Sequence, residues 1–184
     1  MGAGDGGYEL GPVSGQLLIK TTRTGLGARA GHDLTIEVTR WRADVIVDVT
    51  HPSASSVAVE VDTASFEVRA GSGGIKPLTE SDRAQIKATI QQKVLHTSRH
   101  PTITFQSTRV EGTTDSFTVD GDLTIAGVTQ PVTVQGRIAD SRVQGSATIV
   151  QTRWGIRPYT GFFGALKLSD EVRAEFGADL TSGS

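Results

Sequence analysis

His96 and His100 stand four residues apart, the spacing that sets two imidazoles on one helix face and can hold a metal ion. Pro101 follows at once and takes His100 out of helical geometry, and no Glu lies between the two as in metalloprotease helices. His32, Asp33 and Asp82 could add nitrogen and oxygen ligands to that pair only if folding gathered them, and His32 with Asp33 could instead serve as an acid–base pair. The carboxylate pairs Asp44/Asp48 and Glu60/Asp62 fall on the polar faces of alternating segments, where solvation is the ordinary state rather than acid–base work. There is no cysteine, hence no thiol nucleophile, disulfide or thiolate metal site. No G-x-S-x-G elbow marks a serine. Gly25, Gly27 and Ala30 fit a dinucleotide fingerprint on paper, but a strand follows them, so no helix N-terminus could receive a pyrophosphate. The chain nominates no catalytic residues, no metal and no cofactor.

One segment concentrates large rings and cations: Arg153-Trp154-Gly155-Ile156-Arg157-Pro158-Tyr159-Thr160-Gly161-Phe162-Phe163-Gly164. Its rings can plug one end of a β-structure, the commoner use of buried aromatics. They can also form a mouth where apolar rings meet a chain and Arg153 or Arg157 meets a polar head. On the second reading the mouth comprises His32, Arg153, Trp154, Arg157, Tyr159 and Phe162.

Composition narrows the classes. Among 184 residues, 18 Lys and Arg face 20 Asp and Glu, a formal net charge of −2 without any basic run, which argues against nucleic acid. No apolar run approaches the roughly 18 residues of a membrane-spanning helix. The first residues carry neither a basic nor an apolar leader region, so the expectation is a cytoplasmic protein that is not integral to a membrane. Length suits one domain, expected at 8–180 between flexible tails at 1–7 and 181–184. A homodimer is an assembly this reading admits.

The dominant pattern has period two. Leu34, Ile36 and Val38 alternate with polar residues, as do Ala43, Val45 and Val47, and Val57, Val59 and Val61. The same alternation recurs through Ile103–Ser107, Phe117–Ile125, Val132–Ile138, Val143–Ile149 and Val172–Leu180. With Leu17–Ile19 this makes eight or nine strands. Ile86, Ile90 and Val94 instead fall four apart, predicting a helix over about 79–95, opened by a Thr79/Asp82 capping pair and stopped before Pro101. Gly71-Ser72-Gly73-Gly74 ahead of it reads as a hinge. The expectation is all-β with one inserted helix, an extended eight-stranded antiparallel β-barrel, since closure removes unpaired edges. Inward faces of Val, Ile, Ala and Gly fill a barrel poorly, which favours an apolar ligand inside.

Three stretches resemble the YceI-like family of lipocalin-like, polyisoprenoid-binding barrels. His100-Pro101-Thr102-Ile103-Thr104-Phe105-Gln106-Ser107 is similar to the family's P-x-I-x-F-x-S strand. Val119 to Val132 is close to V-x-G-x-L-T-I-x-G-V-T-x-P-V, and Asp170-Glu171-Val172 resembles its D-x-V entry to the last strand. The resemblance covers about residues 8–180. It departs where Gln151-Thr152-Arg153-Trp154-Gly155 stands in place of R-x-D-F-G. It implies binding, storage or transport of a long-chain isoprenoid or fatty lipid, without catalysis. The residues expected to face inward are Leu34, Ile36, Val59, Val61, Ile103, Phe105, Val119, Leu123, Val134, Ile149, Val172 and Phe176. Two other classes stay open: a small enzyme on a hydrophobic substrate using His32 and Asp33, and a filled, ligand-free interaction module.

Overall fold

Alternating apolar and polar residues make strands because successive side chains leave opposite faces. In the computed structural model, which describes residues 5–25, 31–161 and 166–180, they form one curled antiparallel sheet. Its strands are β1 (Gly6–Leu10), β2 (Gly15–Thr24), β3 (Asp33–Val38), β4 (Trp41–Val47), β5 (Ser56–Asp62) and β6 (Phe66–Ser72). After helix α1 (Glu80–Thr89) come β7 (Thr102–Gly112), β8 (Phe117–Ile125), β9 (Val128–Ala139), β10 (Arg142–Val150), β11 (Thr160–Gly161) and β12 (Leu166–Asp179). Pairing runs β1-β4-β5-β7-β8-β9-β10-β12-β2-β3-β6, with β11 added to β12.

The described residues therefore hold twelve strand segments rather than the eight or nine counted from sequence. β1, β6 and β11 escaped that count. Gly6 and Gly7 lie in β1, inside the stretch expected as a tail. Gly71 and Ser72 belong to β6, and the backbone turns left-handed only at Gly73 and Gly74, with φ of +78° and +73°.

Two breaks in the ladder lie side by side. β3 passes to β4 at Thr39–Arg40, and β5 passes to β6 through a 3-10 turn at Thr63–Ser65. Main-chain bonds cross between them, Thr39 N–H to Ser65 O at 2.9 Å and Asp62 N–H to Arg40 O at 3.1 Å. Thr63 and Ser65 are almost fully buried there, yet their hydroxyls donate to His100 O and Asp62 O at 2.9 and 2.7 Å. A buried polar bend is tolerated because every group in it has a partner. Above the break Val38 pairs with Phe66, and below it Trp41 pairs with Val61.

Thr79 caps α1 as its spacing predicts. Its hydroxyl accepts from Asp82 N–H at 3.1 Å, and the Asp82 carboxylate accepts from Thr79 N–H at 2.9 Å. The helix loosens into a π-helical turn over Ile90–Val94, ending with Leu95 N–H on Ile90 O at 2.8 Å. β6 ends the pairing path, and α1 lies against it: Lys87 pairs with Glu67, while Gln91 Nε2 of the π-turn donates to Ala64 O, just before β6, at 3.3 Å. Covering a strand at the end of a sheet limits its pairing with other chains.

Candidate functional site

The curled sheet encloses an elongated cavity of about 1030 Å³. The alternation that builds each strand also builds its wall. β3 contributes Leu34, Ile36 and Val38, β4 contributes Trp41, Ala43, Val45 and Val47, and β5 contributes Val57, Val59 and Val61. β7 adds Ile103 and Phe105, β8 adds Phe117, Val119, Leu123 and Ile125, and β9 adds Val132, Val134 and Ile138. Val143, Ala147 and Ile149 of β10 and Val172, Ala174, Phe176 and Ala178 of β12 complete the circuit. Helix α1 and its π-turn supply Ile86, Ile90 and Val94. All twelve residues expected to face inward line this space: Leu34, Ile36, Val59, Val61, Ile103, Phe105, Val119, Leu123, Val134, Ile149, Val172 and Phe176.

Polar groups gather mainly at the ends. At the end beside α1, Arg23, His32, Lys76, Asp82 and Tyr159 reach the cavity. His32 Nε2 lies 2.7 Å from the carbonyl oxygen of Lys76, tying the start of β3 to the chain before α1. Asp33 turns elsewhere: its Oδ1 accepts from Arg23 N–H at 2.9 Å and stands 3.8 Å from Arg23 Nε. Arg23 also donates to Gly31 O. The His32/Asp33 acid–base pair considered from sequence is thus not formed, because neighbouring side chains entering a strand diverge. Thr79, through its backbone N–H and then its hydroxyl, holds the Asp82 carboxyl below the usual carboxylate range, and the charge of His32 adds a smaller part.

The aromatic segment divides between the two roles weighed for it. Trp154 is only 2% exposed, sits outside the cavity lining, and donates from Nε1 to Leu123 O at 2.9 Å. It belongs to the core, and its place in a mouth is corrected: a ring this large with a satisfied N–H is more stable buried. Arg153 is exposed, its guanidinium 5.5 Å from the Trp154 ring centroid. Arg157 is exposed and also off the lining, whereas Tyr159 is on it. Phe162 falls outside the described residues.

The family model described as YceI-like domain matches residues 16–180. The chain belongs to the YceI-like family. A UPF0312 protein of Pseudomonas aeruginosa is 31% identical over 120 residues, covering 60% of this chain and 56% of that protein. Protein YceI of Escherichia coli is 33% identical over 91 residues, covering 50% and 41%. The matched part thus spans about half the length of these relatives. Among solved structures, Burkholderia cenocepacia BcnA superposes with a TM-score of 0.65 at 18% identity, over 90% of this chain and 96% of that one. A polyisoprenoid binding domain from Saccharophagus degradans gives 0.58 at 9%, over 97% and 100%. At these identities the likeness is one of fold.

This YceI-like chain has cavity residues that the sequence reading left out. Trp41 opens β4 in phase with Ala43, Val45 and Val47, so the alternation itself placed it inward. Its indole N–H is buried without a hydrogen-bond partner. Phe117 stands in phase with Val119 in the same way. Ile86, Ile90 and Val94 were legible as a helix face, but not which surface that face would cover. Among the described residues no group of three or more His, Cys, Asp or Glu could hold a metal ion, and no helix is long and apolar enough to cross a membrane.

Proposed function

We propose that this protein binds and carries a long-chain isoprenoid or similar amphipathic lipid, with the chain in the cavity. The observation that carries the reading is a space of about 1030 Å³ walled by aliphatic and aromatic side chains, with its charged groups at the ends. At about 30 Å³ per water-sized group, it accommodates on the order of 30 non-hydrogen atoms. Each methylene moved from water into such a space contributes about 0.8 kcal/mol before ordering costs, so a long tail needs few polar anchors. The polyisoprenoid binding domain from Saccharophagus degradans, named for such a ligand, shares the fold. The pairing order brings β12 back beside β2, and this curl supports the lipocalin-like barrel expected from sequence.

On this reading the tail lies along Leu34, Ile36, Val59, Ile103, Phe105 and Phe176, and the head sits toward His32 and Tyr159. Native mass spectrometry of freshly purified protein, followed by denaturing extraction, tests it. A stoichiometric excess mass released as a long-chain lipid is the expected result. A bare protein mass that stays unchanged after incubation with isoprenoid quinones or phosphates overturns it.

A further inference from the structure

The two ends of the cavity differ in charge, and only one of them suits an anionic surface. At the end reached by the turns after β4, β7 and β9 stand the exposed carboxylates Asp115 and Asp140, with Asp48 half-buried, while Asp179 is paired with Arg142 at 2.9 Å. Apolar Ile46 and Val49 are exposed there, 53% and 45%, beside Asp48.

The opposite rim exposes Ile75 at 79% and Tyr159 at 50%, and both line the cavity. Each has a cation close in the chain: Lys76 beside Ile75 and Arg157 two residues before Tyr159, both exposed and without an acidic partner among the described residues. The two loops meet across the strand tops. Leu168 pairs with Arg23 and donates its N–H to Tyr159 O at 2.9 Å, while Arg23 packs against Gly73 and His32 against Gly74. The acids on this rim are held by hydrogen bonds within the chain: Asp33 on Arg23, Asp82 on Thr79, and Asp170 on Thr152 at 2.9 Å. Glu80 and Asp82 are the exposed acids at the start of α1.

We propose that this rim is a docking surface for an anionic lipid bilayer, with Ile75 and Tyr159 entering the interface and Lys76 and Arg157 meeting lipid phosphates. The proposal rests on the carrier reading for its purpose: a ligand of this apolarity exchanges with little exposure to water only where the mouth touches the membrane. A tyrosine suits that depth because its ring is apolar and its hydroxyl stays wet. Paired cations next to an apolar rim add attraction that anionic headgroups supply and neutral ones do not. The acidic opposite end is repelled by the same headgroups, which sets the orientation.

Flotation of the full chain with vesicles tests the surface, using phosphatidylcholine alone and phosphatidylcholine with roughly one-third phosphatidylglycerol. The wild type should float with the anionic vesicles only, and less in high salt. Ile75→Ser with Tyr159→Ser, and separately Lys76→Glu with Arg157→Glu, should each weaken binding at least about ten-fold. Val13→Ser, fully exposed on a turn away from the cavity, should float as the wild type does. If the serine pair fails to melt cooperatively, the charge-reversal pair decides. Absence of wild-type flotation on anionic vesicles overturns the proposal, as does a loss produced instead by Ile46→Ser with Val49→Ser. Bound lipid is weighed in the same preparations: lipid without flotation overturns the docking surface alone, and flotation without any lipid uptake overturns the carrier reading alone.

Discussion

A methyl group on Gly145 would stand 2.7 Å from Cζ of Phe176, the residue directly opposite it on the neighbouring strand. The relationship repeats around the sheet. Gly136 lies opposite Phe117, where a methyl would again come within 2.7 Å of Cζ, and Gly121 lies under the ring of Phe105. Each ring packs over a glycine while lining the cavity, so the missing side chain makes room for an aromatic wall. These glycines occupy inward phases of their strands, where any β-carbon would push a ring or a neighbouring backbone aside.

Gly145→Ala therefore overpacks the wall, meeting both the Phe176 ring and the backbone of Gln135 and Gly136. A destabilisation of about 1–3 kcal/mol is expected. Chemical denaturation of the variant beside the wild type measures it, and a change below half a kilocalorie per mole would mean that the ring moves freely.

Trp154 joins the turn after β10 to β8 through its bond to Leu123 O. Trp154→Phe keeps most of the ring but removes that hydrogen bond, a loss of about 0.5–1.5 kcal/mol. Trp154→Ala adds a cavity and should lose about 3–5 kcal/mol. Lipid content should survive in the Phe variant, since Trp154 lies outside the cavity lining. Thermal melts with extraction mass spectrometry check both statements.

Val134→Asp places a carboxylate on the apolar wall of the cavity. An unpaired charge there costs several kcal/mol. The variant is expected to lose its bound lipid or to fail to fold. A folded Val134→Asp protein that still yields stoichiometric lipid would show that this wall does not contact the ligand.

Acid sensitivity has an identified contributor in Asp62. Its carboxylate is held below the ordinary value, first by the Arg40 guanidinium at 2.8 Å and then by the Ala64 N–H at 2.8 Å. Because the folded value is the lower one, its contribution is full above the unfolded-state value near 3.8 and disappears as pH falls through the folded value. Both partners are well exposed, so the effect is small. Asp62→Asn should be slightly less stable near neutrality, with a melting temperature that declines less than the wild type's between pH 5 and pH 3. Parallel acid-side declines would exclude Asp62 as a contributor.

Thr79→Ala removes the hydroxyl half of the capping box on α1. About 1 kcal/mol of helix stability should be lost. Hydrogen exchange localises the effect to the first turn, while amides in β8 and β9 should be unchanged.

By itself the sequence determined most of the strands, the face that each of those turns inward, and the helix with its cap. Those follow from local rules: side chains alternate along a strand, recur every three to four residues on a helix, and Thr79 with Asp82 satisfies the free N–H groups of a first turn. Leu34, Phe105 and Val134 were legible as wall residues for that reason. Tertiary structure alone decided what lies between elements. Whether Trp154 plugs or lines depends on how close Leu123 O comes from a strand some thirty residues away, and whether His32 meets Asp33 or Lys76 depends on where the chain before α1 returns. The strand count was blurred for the same reason: the bends at Thr39–Arg40 and Thr63–Ser65 are held by bonds between distant strands and by buried hydroxyls, which no periodicity records. An alternating pattern says which way a residue points, and only the closing of the sheet says what it points at.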